Sequence, residues 1–422
     1  MRFDTALREY VHQKIAEIGG KADLVVGIPT YNSENTIAAV LKAVGQGLAQ
    51  HYGKMKAVVL VSDGGSLDYT RETSQRTKLP SNVVKVVSIY RGLPGKGTSL
   101  RAVFEAAARL DAKACAVFDS DLRSITGDWV KALIDPVLTH GFDFVSPYYV
   151  RHKYDATITN NIARSLTQAL YGKRLRQPIG GDFGFSRKLV ELFTKEDVWD
   201  TDVARFGIDI WMTTIAICEG FRVCEAFLGA KVHDPKDPAA SLGPMFRQVV
   251  GTLFGMMGRY ENVWRRVTES DPVPLLGEVK DVEPEPLQVS LESLVANFRD
   301  GFTHFGALWR EVVAPDSFAA IQELAAASPE GLHFPIDLWV KIVYDFAYTF
   351  LRWSRDRYKL VELMTPLYYA RIAGFINDTR DMSTAQAEEV VELQARRFEQ
   401  MKPYFLGRFE RSEGPSAKRV DG

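Results

Sequence analysis

Two aspartates separated by one residue follow an apolar run in "AVFDSDLRSI", residues 116–125. Burying Asp119 and Asp121 would cost several kcal/mol each unless another group compensates their charge. A divalent cation such as Mg²⁺ or Mn²⁺ would do so, because it accepts carboxylate oxygens together with substrate phosphates. A solvated acidic turn has the same pattern, so the motif needs support from elsewhere in the chain.

A histidine ends a second apolar, strand-like run. His233 lies in "AFLGAKVHDPKDP", and a neutral imidazole is a common ligand of such metals. A lone histidine more often only makes hydrogen bonds. His233 could complete the coordination of a cation if the fold brings the two strand ends together.

A glycine-rich loop, "RGLPGKGTSL", opens a predicted helix. Its glycines would let backbone N–H groups approach an anion at the helix N-terminus, and Lys96 could reach a phosphate. Gly97 separates Lys96 from the following threonine, so the loop is not a Walker A motif, and the first strand lacks the dinucleotide fingerprint. The same residues also make ordinary turns.

Further polar residues lie between the D-x-D strand and His233. Gly180 and Gly181 would allow a ligand to approach the backbone closely, and Asp182 follows them. Asp209 begins an apolar helix. In purely structural roles, Asp182 would form a turn and Asp209 would complement the helix dipole.

Strands and helices alternate from residue 23 to about 234, as in "DLVVGIPTY" followed by "SENTIAAVLKAVGQGLAQHY". This alternation predicts an α/β fold with a mostly parallel, doubly wound sheet. Ligands of such sheets bind at the carboxyl ends of the strands, where the polar clusters of this sequence fall.

The composition excludes several classes of protein. The 422 residues carry 52 basic and 53 acidic side chains, so no overall field attracts nucleic acid or an anionic membrane, and any basic site must be local. Cys115, Cys218 and Cys224 lack paired metal spacing and suit a reduced protein. With no signal peptide or membrane span evident, we expect a cytoplasmic protein.

Composition also suggests domain boundaries. The segment "ESDPVPLLGEVKDVEPEPLQ" is rich in proline and acidic residues, like a linker or an extended surface crossing, and helical patterns follow it. The expected parts are an N-terminal helix in 1–22, an α/β domain in 23–268, a linker in 269–288, a helical region in 289–411 and a disordered tail in 412–422.

Several stretches, taken in order, resemble one family: "VGIPTYNSENTI", "VLVSDGGSLDYT", "PGKGTSL", "VFDSDL", "PIGGDFGFSR", "GIDI" and "GAKVHDPKDP". They are similar to the retaining GT-A glycosyltransferases that make glucosyl-3-phosphoglycerate, glucosylglycerate and mannosylglycerate. The resemblance covers residues 23 to about 255 and implies a GT-A fold, a role in compatible-solute synthesis and a divalent metal, Mg²⁺ or Mn²⁺.

The resemblance also implies roles for individual residues. The nucleotide sugar would be bound by Pro29, Tyr31, Glu34, Ser62, Asp63, Lys96, Asp119, Ser120 and Asp121. Asp121 would be the direct metal ligand, with His233 and Asp119 completing the set. Lys96, Asp182 and Asp209 would serve catalysis. The acceptor would contact Thr159, Asn160, Gly180, Gly181 and Lys231.

The sequence departs from the family at three of these positions. Asp182 and Asp209 stand where relatives carry glutamate, and Lys231 stands where they carry arginine. Lysine lacks the planar fork that binds carboxylate and phosphate bidentately. The donor (GDP- or UDP-linked glucose or mannose) and the acceptor (glycerate or 3-phosphoglycerate) therefore both stay open. We expect a homodimer.

The expected reaction is front-face transfer, in which the leaving phosphate takes the acceptor proton, because no carboxylate is obviously placed as a nucleophile. Asp182 is the residue that could overturn this expectation. The alternatives are an inverting GT-A enzyme that acts on a polysaccharide or lipid, with Asp182 as general base, and a nucleotide-sugar-binding protein without catalysis. A dinucleotide or nucleotidyl-transfer enzyme fits less well, because the first strand is not followed by a glycine-rich loop.

Overall fold

A computed structural model of the protein describes residues 3–233, 238–280 and 282–412. For residues 238–241 and 412 it describes the backbone alone. The tail expected to be disordered lies outside the described residues, apart from its first residue.

Eight strands form one mixed, mostly parallel sheet, as the sequence predicts. Its order is β10-β8-β5-β7-β4-β1-β2-β3, and only β7 runs antiparallel to its neighbours; β6 and β9 pair separately. The strands are β1 Leu24–Thr30, β2 Ala57–Asp63, β3 Val83–Ile89, β4 Ala114–Val117, β5 Phe144–Val150, β6 Lys173–Arg174, β7 Phe183–Ser186, β8 Val223–Ala230, β9 Asp271–Pro272 and β10 Leu275–Leu276.

Helices connect the strands and make up most of the C-terminal third. They are α1 Glu9–Glu17, α2 Ile37–Tyr52, α3 Thr70–Arg76, α4 Lys96–Arg109, α5 Gly127–His140, α6 Arg164–Tyr171, α7 Arg187–Lys195, α8 Ile208–Cys218, α9 Pro238–Arg259, α10 Glu261–Trp264, α11 Leu291–Val312, α12 Pro315–Ala326, α13 Ile336–Arg352, α14 Arg357–Thr379, α15 Thr384–Gln400 and α16 Lys402–Ser412. A π-helix, Thr159–Ala163, precedes α6, and a short 3₁₀ helix, Asp202–Ala204, precedes α8.

The central strands are apolar because both faces of the sheet are covered. Every residue of β2 is buried, and β1 has one partly exposed position. Parallel pairing aligns Thr30 of β1 with Asp63 of β2, whereas Val117 at the end of β4 is level with Gly27. The polar motifs that follow β1, β2 and β4 therefore emerge at one edge of the sheet.

The chain divides into two compact units, each built from separate segments. The sheet unit contains 1–152, 175–235 and 272–286, and the helical unit contains 153–174, 236–271 and 287–422. The segments 153–174 and 236–271 thus join the C-terminal helices, although composition places them in the catalytic domain. Within the helical unit, Arg164 of α6 pairs with Glu388 of α15 at 2.6 Å.

The proline-rich segment contributes a strand to the main sheet. Leu275–Leu276 form β10, which pairs with β8 in parallel, and Glu225 N–H donates to Pro274 O at 2.8 Å. Much of this segment therefore runs in an extended conformation along the surface. Among the helices of the described ranges, none combines the length and apolar character needed to span a bilayer. All three cysteines are free, and Cys115 and Cys224 are buried.

Candidate active site

The turns after β1 and β2 hold one another in place. Asp63 is fully buried; it accepts hydrogen bonds from the Thr30 hydroxyl at 3.0 Å and from the N–H groups of Gly65 and Ser66 at 2.8 and 2.9 Å. The Ser62 hydroxyl is also buried and donates to Ser99 O at 3.0 Å. Both polar groups thus have protein partners, and their contact with a base or ribose stays a prediction.

The other predicted nucleotide contacts border the D-x-D motif. Tyr31 is 60% exposed, while Pro29 and Glu34 are partly exposed. Glu34 Oε2 accepts the Tyr69 N–H at 2.9 Å. The hydroxyl groups of Ser33 and Ser120 lie 2.9 Å apart, so the loop after β1 and the D-x-D motif are in direct contact.

Two lysines bind the first aspartate of the motif. Lys96 Nζ lies 2.9 Å from Asp119 Oδ1, and Lys231 Nζ lies 3.0 Å from Asp119 Oδ2. Lys96 comes from the first turn of α4, and Lys231 follows β8. The fold therefore brings Lys231 beside two residues more than 100 positions earlier in the chain, and all three residues were predicted for the site.

Asp182 is fully buried, and both of its carboxylate oxygens are occupied. Oδ1 accepts the backbone N–H of Asp119 at 2.7 Å, and Oδ2 accepts Lys231 Nζ at 3.0 Å and the Tyr149 hydroxyl. Asp182 thus fixes the backbone at the start of the D-x-D motif. The Lys231 ammonium also donates to Gly180 O at 2.9 Å.

Gly181 allows this close packing. Its φ of +91° lies in the region that favours glycine, and an added Cβ would come within 2.1 Å of Asp119 Oδ2. Glycine at position 181 is therefore needed for the close approach of this backbone to the first motif aspartate.

Asp209 has one satisfied and one unsatisfied oxygen. Its Oδ2 accepts Lys96 Nζ at 3.4 Å. Oδ1 lies 3.3 Å from the same nitrogen, but without hydrogen-bond alignment, and it has no other donor among the described residues. This oxygen can accept one further hydrogen bond, from water or from a ligand.

Burial and ion pairing oppose each other in this cluster. Burial disfavours the charge of Asp119, but Lys231 and Lys96 outweigh burial and lower its pKa. Burial likewise opposes the charge on each lysine, and the neighbouring carboxylates nevertheless raise both pKa values. Burial dominates at Asp182 and Asp209, where it raises the pKa. Of the three carboxylates, Asp119 is therefore the one that most strongly favours the ionised form.

The strand ends that carry Asp121 and His233 meet. Leu122 and His233 form an antiparallel β-bridge, extended by a hydrogen bond from Arg123 N–H to Val232 O at 2.8 Å. Arg151 Nη2 lies 3.0 Å from His233 Nε2, and an always-charged guanidinium can only donate there. The bridge brings the backbone after Asp121 next to His233, and the sharing of one metal by the two side chains stays a prediction.

The residues present fit a divalent cation that substrate phosphates also coordinate. Asp121 and His233 offer an oxygen and a nitrogen donor, but the described part of the chain contains no cluster of three or more acidic, histidine or cysteine side chains arranged for a metal. The Asp119 carboxylate pairs with two ammonium groups instead, so its role as a ligand stays a prediction. Further ligands would have to come from substrate or water.

Comparison with known proteins identifies the family. The family model described as mannosylglycerate synthase, GT domain, matches residues 25–246, more than half of the chain. The chain belongs to the mannosylglycerate synthase family. As a member of this family, it is a glycosyltransferase.

Parts of this chain are also similar to solved structures of one enzyme. Glucosyl-3-phosphoglycerate synthase from Mycobacterium tuberculosis, in complex with Mn²⁺, UDP and glucosyl-3-phosphoglycerate, is 26% identical over 58% of this chain and 82% of that one, with a TM-score of 0.46. The same enzyme with Mg²⁺ and UDP is 24% identical over 60% and 85%, with a TM-score of 0.45. No curated protein matches the chain.

The glycine-rich loop of this glycosyltransferase has protein partners of its own. Gly95 N–H donates to the Tyr90 hydroxyl at 2.9 Å, and Gly97 N–H donates to Arg205 O at 3.0 Å. A Cβ at Gly97 would come within 1.8 Å of Val203 O. These two N–H groups therefore already have protein acceptors and do not point at an open anion site, contrary to the expectation for this loop.

Two of the five predicted acceptor residues, Thr159 and Asn160, lie in the helical unit. Thr159 and Asn160 are buried in the π-helix, an element often found at functional sites. Asn160 Nδ2 donates to Asp155 O at 3.0 Å, and Asn160 Oδ1 has no donor among the described residues. Their contact with an acceptor stays a prediction.

Sequence reasoning missed Tyr149. It lies within β5, where "FVSPYYV" reads as an ordinary strand, yet its hydroxyl donates to Asp182. Its ring packs against Trp129 with centroids 5.4 Å apart, and Lys231 Nζ lies 5.0 Å from the Tyr149 centroid. Alternation along β5 could have predicted burial of Tyr149, but nothing in the sequence indicates its partner.

Proposed function

We propose that this glycosyltransferase moves glucose or mannose from a nucleotide sugar to glycerate or 3-phosphoglycerate, with retention of configuration and with Mg²⁺ or Mn²⁺ as cofactor. The observation that carries the proposal is the bridge between Leu122 and His233, because it joins the D-x-D motif to the histidine. Asp121 and His233 would hold the cation. When bound, the cation would neutralise the charge that develops on the leaving diphosphate.

The donor sugar would contact Asp209. Its buried Oδ1 lacks a hydrogen-bond donor among the described residues, and a sugar hydroxyl could supply one. Lys96 orients the Asp209 carboxylate from 3.3–3.4 Å. We therefore assign Asp209 to sugar recognition and Lys96 to the charge balance around Asp209 and Asp119.

The surroundings of Asp182 support a front-face reaction over a double displacement. A carboxylate nucleophile must reach the anomeric carbon, whereas Asp182 is fully buried and accepts three hydrogen bonds. The same contacts argue against Asp182 as the general base of an inverting enzyme. In our proposal Asp182 positions the motif, and the leaving phosphate accepts the acceptor proton.

The acceptor proposal rests on fewer contacts. Thr159 and Asn160 remain the candidates, supported by the unsatisfied Oδ1 of buried Asn160. Gly180, Gly181 and Lys231 surround Asp119 and Asp182, so any effect of theirs on the acceptor would be indirect. We also retain the homodimer as a proposal, which a solution mass measurement would test.

A product assay tests the proposed function. UDP- and GDP-linked glucose and mannose are each incubated with glycerate or 3-phosphoglycerate, with Mn²⁺, with Mg²⁺ or with EDTA, and the products are analysed by NMR. We expect one donor and one acceptor to give an α-linked product only when metal is present. A β-linked product would establish an inverting enzyme, and turnover in EDTA would remove the metal from the proposal.

A further inference from the structure

The π-helix before α6 leaves the backbone of its segment with one acceptor too many. The Arg164 N–H bonds to Thr159 O, five residues earlier, whereas the Gly172 N–H bonds to Gln168 O, four residues earlier. Between these two bonds lie the carbonyl groups of 160–167, eight in all, and the N–H groups of 165–171, seven in all. All of these residues are buried, so one carbonyl needs a donor from another element.

Two side chains from the C-terminal helices supply donors at this turn. Gln394 of α15 donates through Nε2 to Asn160 O at 2.8 Å, and Trp339 of α13 donates through Nε1 to Asn161 O at 2.8 Å. Both side chains are buried. The donors thus reach the two carbonyls that directly follow the five-residue bond, where the hydrogen-bond register changes.

Arg371 of α14 fixes the direction of the Gln394 amide. Its Nε donates to Gln394 Oε1 at 3.1 Å, and its Nη1 donates to Phe334 O at 3.1 Å. A guanidinium can only donate hydrogen bonds. The amide must therefore present its oxygen to Arg371, which leaves its NH₂ group for the carbonyl of Asn160.

Keeping Arg371 at this position is costly. The side chain is 1% exposed and has no ion-pair partner among the described residues. Burial lowers the pKa of Arg371 from 12.5 to about 10, against the opposing effect of Asp378, so the guanidinium stays charged at neutral pH. Nearby, Ala156 adopts a φ of +53°, which strains a residue other than glycine. Strain and buried charge around one segment are typical of functional sites.

We propose that Arg371, Gln394 and Trp339 are positioning residues for the sugar acceptor, because they hold the π-helix that presents Thr159 and Asn160. The inference rests on the proposed function, in which these two residues contact glycerate or 3-phosphoglycerate. The positioning residues bond to the backbone of the π-helix or to one another, so they act through it. The C-terminal helices thereby take part in acceptor recognition.

Gln394→Glu separates positioning from stability. The carboxylate has the size of the amide and can pair with Arg371, so the chain should fold, but it offers no N–H to Asn160 O. Steady-state kinetics should show the KM for the acceptor raised at least about tenfold and the KM for the donor within about twofold. An unchanged acceptor KM in the folded variant would overturn the proposal.

Trp339→Phe has a matched control in Trp264→Phe. Both indoles are fully buried, and Trp264 Nε1 donates to Met257 O, also at 2.8 Å, outside the π-helix. Trp339→Phe should raise the acceptor KM about fivefold, the value expected for one lost hydrogen bond, and Trp264→Phe should leave it within about twofold. Equal effects would show a general loss of stability and contradict the proposal.

Thr159→Val tests whether Gln394 acts through the π-helix. Alone, this change should raise the acceptor KM, and an unchanged value would remove both Thr159 and the positioning role. Combined with Gln394→Glu, it should raise the KM by less than the product of the two single effects, because both act on one contact. A full product would mean that Gln394 acts elsewhere.

Hydrogen exchange of the native chain and its variants, without substrates, distinguishes failure of this inference from failure of the proposed function. Gln394→Glu and Trp339→Phe should speed exchange of the amides of 160–167 by at least about fivefold, and Trp264→Phe should not. If the native chain transfers sugar to neither acceptor, the proposed function fails, and the acceptor role fails with it. If transfer occurs and exchange is faster but the acceptor KM is unchanged, only the inference fails.

Discussion

At the scale of single residues, the site depends on how buried charges compensate one another. Asp119 is held between two ammonium groups, and Asp182 accepts three hydrogen bonds, so neither carboxylate is left uncompensated. A buried charge is tolerated only under such conditions. Asp119, one of the two carboxylates that the sequence marked as costly to bury, is thus stabilised by lysines of the chain itself.

Replacing Asp121 with alanine should abolish metal-dependent transfer while the chain stays folded. The residue is only partly buried, so its loss leaves no large cavity, but one of the two proposed protein ligands of the cation disappears. Initial rates with Mn²⁺, together with the circular dichroism spectrum, measure the effect. Retained turnover that still requires metal would contradict the assignment.

Asp128→Ala is the control for this variant. Asp128 is an exposed aspartate in the first turn of α5, and its carboxylate lies 3.0 Å from His51. This change should leave the transfer rate within about twofold, because surface ion pairs contribute little.

Tyr149→Phe should weaken catalysis through Asp182. The variant keeps the ring that packs on Trp129 and removes one donor to a buried carboxylate, a loss of about 1.5–3 kcal/mol for a hydrogen bond to a charged group. We expect the Mn²⁺ concentration for half-maximal activity to rise by about tenfold, because the D-x-D backbone is less firmly held. A purely structural role would lower the melting temperature without changing the metal dependence.

Residue types and family resemblance predicted which residues belong to this site, but not which of their side chains contact one another. Five residues that were predicted by type or by family resemblance form one cluster: Lys96, Asp119, Asp182, Asp209 and Lys231. The partner of a side chain depends on tertiary packing. For that reason the sequence could not indicate that Tyr149 binds Asp182.

At the scale of elements, strand order decides which motifs meet. Alternating strands and helices predicted the parallel sheet, but no local signal marks β7 as antiparallel or places the two-residue β10 at its edge. Four residues of β7 are enough to bring Asp182 beside the end of β4. Pairing of such short strands is decided by long-range contacts, which sequence periodicity does not report.

Gly181→Ala tests the turn that precedes β7. The change adds strain at a positive φ and puts a methyl group within 2.1 Å of Asp119 Oδ2, so the D-x-D motif must shift. We expect at least about a tenfold loss in kcat/KM. Steady-state kinetics with the identified donor and acceptor measure it.

Gly220→Ala is the matched control for that turn. It has a positive φ of +77°, but an added Cβ meets nothing within 4 Å. Gly220→Ala should cost about 1 kcal/mol of stability through backbone strain alone and leave kcat/KM unchanged. Equal kinetic losses in the two variants would show that strain, not the contact with Asp119, is responsible.

Lys402, the first residue of α16, should make the free energy of unfolding rise with pH in the alkaline range. Lys402 is buried with its ammonium bonded to Val267 O, and burial lowers its pKa from 10.5 to about 8. Between these pH values the unfolded chain holds a proton that the folded chain has released, so the free energy of unfolding rises with pH. The full effect is about 3 kcal/mol at most.

Lys402→Met removes this contribution. Urea unfolding of both chains at several values from pH 8 to pH 10.5 measures it as a difference, in which other titrating groups cancel. The native chain should gain stability relative to the variant across that interval. If the free energy of unfolding changes with pH equally in both chains, burial does not lower the pKa of Lys402.

At the scale of the whole molecule, the two compact units do not follow the contiguous order of the chain. Composition finds where proline and acidic residues accumulate, and it therefore marked 269–288 as a boundary. It cannot detect that 153–174 and 236–271 belong with the C-terminal helices. Contacts such as Trp339 Nε1–H with Asn161 O at 2.8 Å, and Arg164 with Glu388, join 153–174 to helices more than 150 residues later.

The family match covers mainly the segments that form the sheet unit, whereas most of the helical unit lies outside the match.

The central claim is that Asp121 and His233 share one cation with the phosphates of a sugar nucleotide. Crystals grown with Mn²⁺ and a nucleoside diphosphate, measured for anomalous scattering at the manganese edge, test it directly. We predict one strong peak within coordination distance of an Asp121 carboxylate oxygen, a His233 ring nitrogen and the diphosphate. A peak bound elsewhere, with Asp121 or His233 directed away from it, would contradict the account.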